Sequence, residues 1–439
     1  MKVAGYNYKC LCANWNLKTK EGYRIVCPPN ESNLDISSLI SYSVYCYHAV
    51  WITKDGHAFA IGDNIEKQIY ECLPKHFIEY KTEVTIQDND RNTYIPISAV
   101  CGRFYTLYLV KSPKGQFKLA YVHSKNNGVP IFLDLNDHNP IALFGGMSNC
   151  AVVTDNGSII IITKAILDSP HTPLESIPLP DGEKTTYVAC CDDYIFALSN
   201  TGKVYQYRLM AYCPSSSFSE VKKLKGKRFV SLSGTFKSCF AVTDNGLVYG
   251  HGSNDHGKLG LGRDMWGTDG FKKIKSLQDY KITNAYAGCF HSIFKTDDGK
   301  IVGFGWNRYG ELLVDIDPNE DCVFTPTVAN ITGDVTYCDV GDSLSAVYVG
   351  CEPPINSPNQ LINEKRSSLE IPVLRVGKSS FPPPKDLPPP QPKEGENETS
   401  DSFVEVDDNL LVDETPKYGS YTFWIALILF IILSFYLFH

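Results

Sequence analysis

His48 and His291 each stand eight residues before a glycine, Gly56 and Gly299. Histidine is the side chain most often recruited as a base or metal ligand near neutral pH. Asn149, Tyr194 and Ser238 occupy the same place before Gly157, Gly202 and Gly246. Groups of such different chemistry at one recurring position do not form a catalytic set. The two histidines therefore read as structural residues that orient a hairpin. The other reactive residues are 15 cysteines, an odd number with no Cys-x-x-Cys spacing. Cys10 and Cys12 lack the second spaced pair that a zinc site needs. Most of the rest, such as Cys101, Cys150, Cys239 and Cys338, sit inside strand-like runs, where a reduced thiol serves as a small hydrophobe. Their chemistry points to a cytosolic domain. The sequence holds no nucleophile elbow, phosphate loop or dinucleotide fingerprint, so no catalytic residue, cofactor or metal site is expected.

The elements that carry these residues repeat. Val248-Tyr-Gly-His-Gly-Ser-Asn-Asp-His-Gly-Lys-Leu259 returns in register as Ile301-Val-Gly-Phe-Gly-Trp-Asn-Arg-Tyr-Gly-Glu-Leu312. Gly252, Asn254, Gly257 and Leu259 meet Gly305, Asn307, Gly310 and Leu312 at a single offset of 53 residues, as Gly246 meets Gly299. Internal repetition at such a period marks a stacked architecture. Each copy reads as a β-hairpin, with β-branched and aromatic strands around an Asp-Gly or Asn-Gly turn. Those dipeptides predict type I′ turns. Similar hairpins occur at Gly56, Gly115, Gly157, Gly202, Gly246 and Gly299, with gaps of 59, 42, 45, 44 and 53 residues. This is the spacing of propeller blades. The long first gap predicts a surface insertion around Cys72–Asn92. Val3-Ala-Gly-Tyr-Asn7 resembles a return strand, and 337–348 resembles the first half of a hairpin. Together they predict a seventh blade made from both ends of the repeat array, which buries the edge strands.

The pattern resembles the regulator-of-chromosome-condensation family, a family of seven-bladed propellers. The resemblance rests on Gly252-Ser-Asn-Asp-His-Gly-Lys-Leu-Gly260, Gly305-Trp-Asn-Arg-Tyr-Gly310 and Ala287-Gly-Cys-Phe-His-Ser292. It implies an all-β, seven-bladed β-propeller over 1–350. Copies three to five lack the Gly-x-Asn-x-x-Gly-x-Leu segment. The family includes exchange factors for small GTPases, whose contact loops have no recognisable counterpart here.

Net charge is −8. Residues 351–420 carry 13 acidic and 7 basic side chains, which leaves the propeller close to neutral. A nucleic-acid partner is not expected, since such surfaces carry a clustered basic footprint. Lys222-Lys-Leu-Lys-Gly-Lys-Arg228 and Lys272-Lys-Ile-Lys275 precede corresponding strands of neighbouring repeats. They read first as solvated loop charges; attraction to an anionic membrane is the sharper reading, at ~1 kcal/mol per basic residue.

Beyond the propeller, 351–420 is a linker holding 12 of the 26 prolines, including Phe381-Pro-Pro-Pro384. It reads as a polyproline spacer, with polyproline-binding adaptors as the alternative. From Glu394 to Glu414 there are nine acids and no base. Within it, Phe403 and Val406 form a candidate linear motif for partners that add a strand to a sheet edge. A plain acidic linker is the simpler reading. Tyr421–Phe438 contains no charge in 18 residues. As a helix it is ~27 Å long, close to a bilayer of ~27 Å, with aromatic residues at both ends. The segment 421–438 is thus expected to be a single C-terminal transmembrane tail anchor, with the propeller facing the cytosol at the endoplasmic reticulum. Sequons at Asn30, Asn156, Asn330 and Asn397 would then stay unmodified. The expected function is a membrane-anchored protein-interaction scaffold; the resemblance supplies the alternative, a guanine-nucleotide exchange factor for a small GTPase at that membrane.

Overall fold

The computed structural model describes residues 2–5, 26–27 and 38–350, apart from 47, 66, 72, 74–77, 136–137, 210–214, 315–319 and 343. The chain divides into two units, Met1–Val376 and Gly377–His439. The linker, the apolar run at 421–438, Phe403, Val406, Cys10, Cys12, Asn30 and Asn397 lie outside the described residues. Among the described residues no helix is long and apolar enough to cross a membrane.

Among the described residues the strands form seven groups of four. Residues 39–84, 95–134, 140–177, 185–220, 229–273 and 282–328 each supply four consecutive strands in simple up-and-down order. We call these blades one to six. The groups 185–220 and 229–273 join through a short parallel contact of Cys190 and Cys191 with Thr235 and Phe236. The seventh blade has a different origin. Val335–Val340 and Leu344–Val349 pair with each other, and Lys2–Gly5 then pairs with Leu344–Val349. Val26–Cys27 adds the outer strand. The innermost strands touch in sequence, and Val335–Val340 touches Leu39–Tyr45, closing the ring. Hydrophobic clusters lie between successive blades; Trp51, Tyr42, Tyr348 and Val347, for example, are buried together at the closing seam.

One irregularity proves the repeat. In all seven blades the inner strand slips by one residue against its partner near its start, as at Leu39/Ser41, Phe229/Ser231 and Val335/Tyr337. A bulge bends and twists its strand. Its recurrence seven times shows one unit fitted to one curvature.

The turns differ from the type I′ expectation. Gly56, Gly115, Gly157, Gly202, Gly246 and Gly299 have φ between 80° and 88°, while the residue before each is not left-handed. Each glycine N–H donates to the carbonyl three residues back, as in Gly246 to Thr243 at 2.9 Å. Thr243 N–H in turn donates to Leu247 O at 2.9 Å. This is a three-residue loop: a type I turn closed by a left-handed glycine. A Thr or Ser always stands three residues before the glycine. In Thr154 and Thr243 its hydroxyl donates to the Asn156 and Asn245 side chains. That bond holds the Asn in a right-handed turn and leaves only the glycine left-handed. The surface insertion expected at Cys72–Asn92 is also corrected. It contains Ile78–Val84, the outer strand of the first blade, followed by a small loop in which the Asp88 carboxylate accepts from Asn92 and Tyr94.

Candidate interaction face

Asn254 is the centre of the best-built loop. Its Nδ2 donates to the carbonyls of Gly262 (2.9 Å) and Met265 (2.6 Å), while Oδ1 accepts from Leu259 N–H at 2.9 Å. Its own backbone N–H donates to Trp266 O at 2.8 Å. Asn307 repeats the arrangement: Nδ2 to Val314 O (3.2 Å), Oδ1 from Leu312 N–H (2.8 Å), and backbone N–H to Asp321 O (2.7 Å). Leu259 and Leu312 are buried beneath. Gly252 and Gly305 enter these loops at φ 105° and 110°. A Cβ on Gly252 would lie 1.9 Å from Lys237 O, so the backbone approach excludes every other residue.

A third copy exists that inspection of the sequence does not single out. Asn64 Oδ1 accepts from Ile69 N–H at 3.0 Å, and Nδ2 donates to Tyr70 O at 3.2 Å. Gly62 has φ 104°, and Lys67 takes the left-handed place of Gly257 and Gly310 at φ 59°. Lys in place of Gly and Ile in place of Leu hid the motif; the surviving Gly-x-Asn was the available signal. Among the described third-to-fourth strand pairs the register slips in blades one, five and six, at Gly62, Gly252 and Gly305, and in no other blade.

These loops share one rim with the turns between first and second strands. Trp266 is 89% exposed and Met265 48%, on the segment that Asn254 pins at Gly262, Met265 and Trp266. Ile65, beside Asn64, and Phe104 are also exposed. Cationic side chains lie over aromatic rings on this rim: Arg103 over Phe104 (5.0 Å), Lys237 over Phe236 (5.2 Å), Arg263 over Phe324 (4.6 Å) and Arg308 over Tyr309 (5.8 Å). Tryptophan, tyrosine and arginine are the residues that dominate protein-interface energetics. The basic stretches lie elsewhere: 222–228 leads from blade four to blade five, and 272–275 runs from the end of the outer strand of blade five into the segment after it; Lys222, Lys223, Lys225, Lys227 and Arg228 are exposed.

The histidines are clasps between blades. His48 Nε2 lies 2.9 Å from Thr106 Oγ1, and His291 Nε2 lies 2.8 Å from Ser345 Oγ, each partner on the second strand of the next blade. Both rings are fully buried, and burial lowers each to about 3. They are neutral at physiological pH, which suits a fixed hydrogen bond. Asn149, at the same repeat position, also reaches forward, donating to Cys191 O at 2.9 Å. The inner strands are linked in the same sense: Cys101 N–H donates to Ser43 Oγ (2.9 Å), and Ala287 N–H to Ser233 Oγ (2.9 Å).

Gln68, Lys258 and Glu311 follow the left-handed residue of each motif loop, and all three are buried. Lys258 Nζ donates to Cys289 O at 2.8 Å and stands 4.9 Å from the Phe236 ring centre. Burial lowers its pKa. Glu311 Oε2 accepts from Tyr309 N–H at 3.0 Å, while Oε1 has no partner. Burial, with Asp342 and Asp321 nearby, raises its carboxyl to about 8. The described cysteines are free thiols. Among the described residues no three His, Cys, Asp or Glu side chains are grouped to hold a metal.

Comparison with known proteins agrees with this geometry. Residues 245–294 match the model of the Regulator of chromosome condensation (RCC1) repeat. The chain is 33% identical to the Ultraviolet-B receptor UVR8 of Arabidopsis thaliana over 157 residues, 32% of this chain and 36% of the receptor. It is 33% identical to the human E3 ubiquitin-protein ligase HERC2 over 138 residues, 28% of this chain and 3% of the ligase. The chain thus spans about a third of the receptor's length and a small part of the ligase's. Human WBSCR16 shares the fold, with TM-score 0.60 and 12% identity over 80% of this chain and 99% of that one. So does Prp20p of Saccharomyces cerevisiae, with TM-score 0.59 and 12% identity over 79% and 90%; its structure was reported with its binding to Gsp1p and histones. The fold is an all-β propeller of the RCC1 type.

Proposed function

We propose that this protein is an interaction scaffold, tethered to a membrane by 421–438, that captures a protein partner on the Asn-pinned rim of its propeller. The observation that carries the reading is Trp266, 89% exposed on a loop held by three hydrogen bonds of one buried asparagine side chain and one of its backbone. An exposed tryptophan on a rigid support is a preorganised anchor, because little ordering is left to oppose binding. Arg103, Lys237, Arg263 and Arg308 on the same rim suit a partner with acidic and aromatic groups. The uncharged Tyr421–Phe438 run supports the tether, and its length supports an endoplasmic-reticulum membrane with the propeller in the cytosol.

The second reading is guanine-nucleotide exchange on a small GTPase. It is favoured by the fold shared with Prp20p, reported to bind Gsp1p. Affinity capture with the full chain separates the two. Partners recovered equally with and without guanine nucleotide support the scaffold. Selective capture of a nucleotide-free GTPase with accelerated nucleotide release supports exchange. Extraction of the full chain into alkaline carbonate would refute the tether.

A further inference from the structure

The seven inner strands enclose a polar cavity of about 30 Å³ on the ring axis, lined by Ser43, Tyr45, Tyr187, Ser233, Thr235 and Asp339 among others. That is room for about two water molecules, or for one small ion with a water beside it. Asp339 is the one carboxylate in the lining, which holds no lysine, arginine or histidine, and is 92% buried, since 8% of it is exposed. Among the described residues no lysine, arginine or histidine acts on its carboxyl, and the backbone of Val340 is the one group that favours its charge. The titratable groups facing it are Tyr187, Tyr286 and Tyr337, with Cys101 and Cys338, all held neutral by burial. A lone carboxylate in this setting needs a counter-charge. Ser43 and Ser233 each accept one backbone N–H and keep a lone pair.

We infer that the channel holds a monovalent alkali cation, Na⁺ or K⁺, against Asp339. One carboxylate with hydroxyl oxygens balances a single positive charge, whereas a divalent ion would leave a buried charge uncompensated. Hard oxygen ligands suit such ions, and nothing in the lining suits a softer metal except the Cys101 thiol. The cation competes with a proton: burial raises Asp339 to about 7. Occupancy is therefore expected above pH 7 and lost below it. The site would couple the seventh blade, made from two distant segments, to the inner strands of blades one, four and five.

The test uses the full chain and follows thermal unfolding at pH 8 in KCl, NaCl or choline chloride of equal ionic strength. A saturable rise in midpoint with K⁺ or Na⁺ is expected, absent in choline, absent in Asp339→Asn, and weakened at pH 5.5. Binding of radioactive rubidium, a potassium surrogate, to the wild-type chain should approach one ion per chain at pH 8. This second measurement stands if Asp339→Asn fails to fold. Equal midpoints in all three salts, together with no rubidium retained, would overturn the proposal and leave a protonated carboxyl with water. A rise that persists unchanged in Asp339→Asn would also overturn it.

Discussion

Glu311→Gln should stabilise this protein, and the gain should grow with pH. Glu311 is fully buried with one oxygen unpartnered, and its carboxyl is raised from 4.5 to about 8. A folded-state pKa above the unfolded one gives stability that is complete below pH 4.5 and is lost as pH rises through 8. One unit is worth ~1.4 kcal/mol, so the full span is roughly 5 kcal/mol and the loss by pH 7 is about 3 kcal/mol. An amide carries no such linkage. Its oxygen can still accept from Tyr309 N–H, and its NH₂ brings no charge against the nearby Asp342 and Asp321. The fold already places a glutamine here: Gln68 occupies the same motif position in the first blade, 1% exposed. Urea unfolding of wild type and Glu311→Gln at pH 5, 7 and 8 should show a small difference at pH 5, rising to about 3 kcal/mol at pH 7. A difference that does not change with pH would refute the protonation argument. A variant less stable than wild type at pH 8 would show that the amide cannot satisfy the site.

The other expectations follow from the same geometry. Gly252→Ala should prevent folding or lower the melting point steeply, because its Cβ meets Lys237 O at 1.9 Å; Gly310→Ala, with nothing within 4 Å, should cost about 1 kcal/mol from left-handed strain alone. Asn254→Ala removes three side-chain hydrogen bonds and should cost about 3 kcal/mol, with faster proteolysis between Gly262 and Trp266 as the specific sign. His291→Ala breaks the bond to Ser345 and leaves a cavity, costing roughly 3 kcal/mol at pH 7. A histidine lowered to about 3 loses stability as pH falls below 6.5, so this cost should shrink at pH 5.

Much of the ring was legible because its physical demands are local. Left-handed glycines recur at the loop position where a Cβ is strained, so Gly56 to Gly299 act as a ruler. The two half-repeats were legible because neither completes a sheet alone, and Lys2–Gly5 does pair with Leu344–Val349. The turn type was misread because the dipeptide carries less information than the Thr or Ser three residues earlier. The third Asn-centred loop was missed because Lys67 tolerates a left-handed conformation when its neighbours fix it. The structural role of His48 and His291 was readable from recurrence, but their partners Thr106 and Ser345 were not. They lie 58 and 54 residues away, and only the packing of successive blades brings them together. The exposed rim could not be read at all: Trp266 looks like any core tryptophan until the Asn254 loop turns it outward.

The central claim is that this rim captures a protein partner. The direct measurement is quantitative affinity capture from cells expressing the full chain, wild type against Trp266→Ala with Met265→Ser. Both side chains are exposed, so the double variant should melt within about 0.5 kcal/mol of wild type. Partner recovery should fall at least tenfold, about 1.4 kcal/mol or more of binding free energy. Full recovery with the rim altered, and loss of recovery instead on deleting 394–414, would place the interaction in the acidic linker and contradict the account.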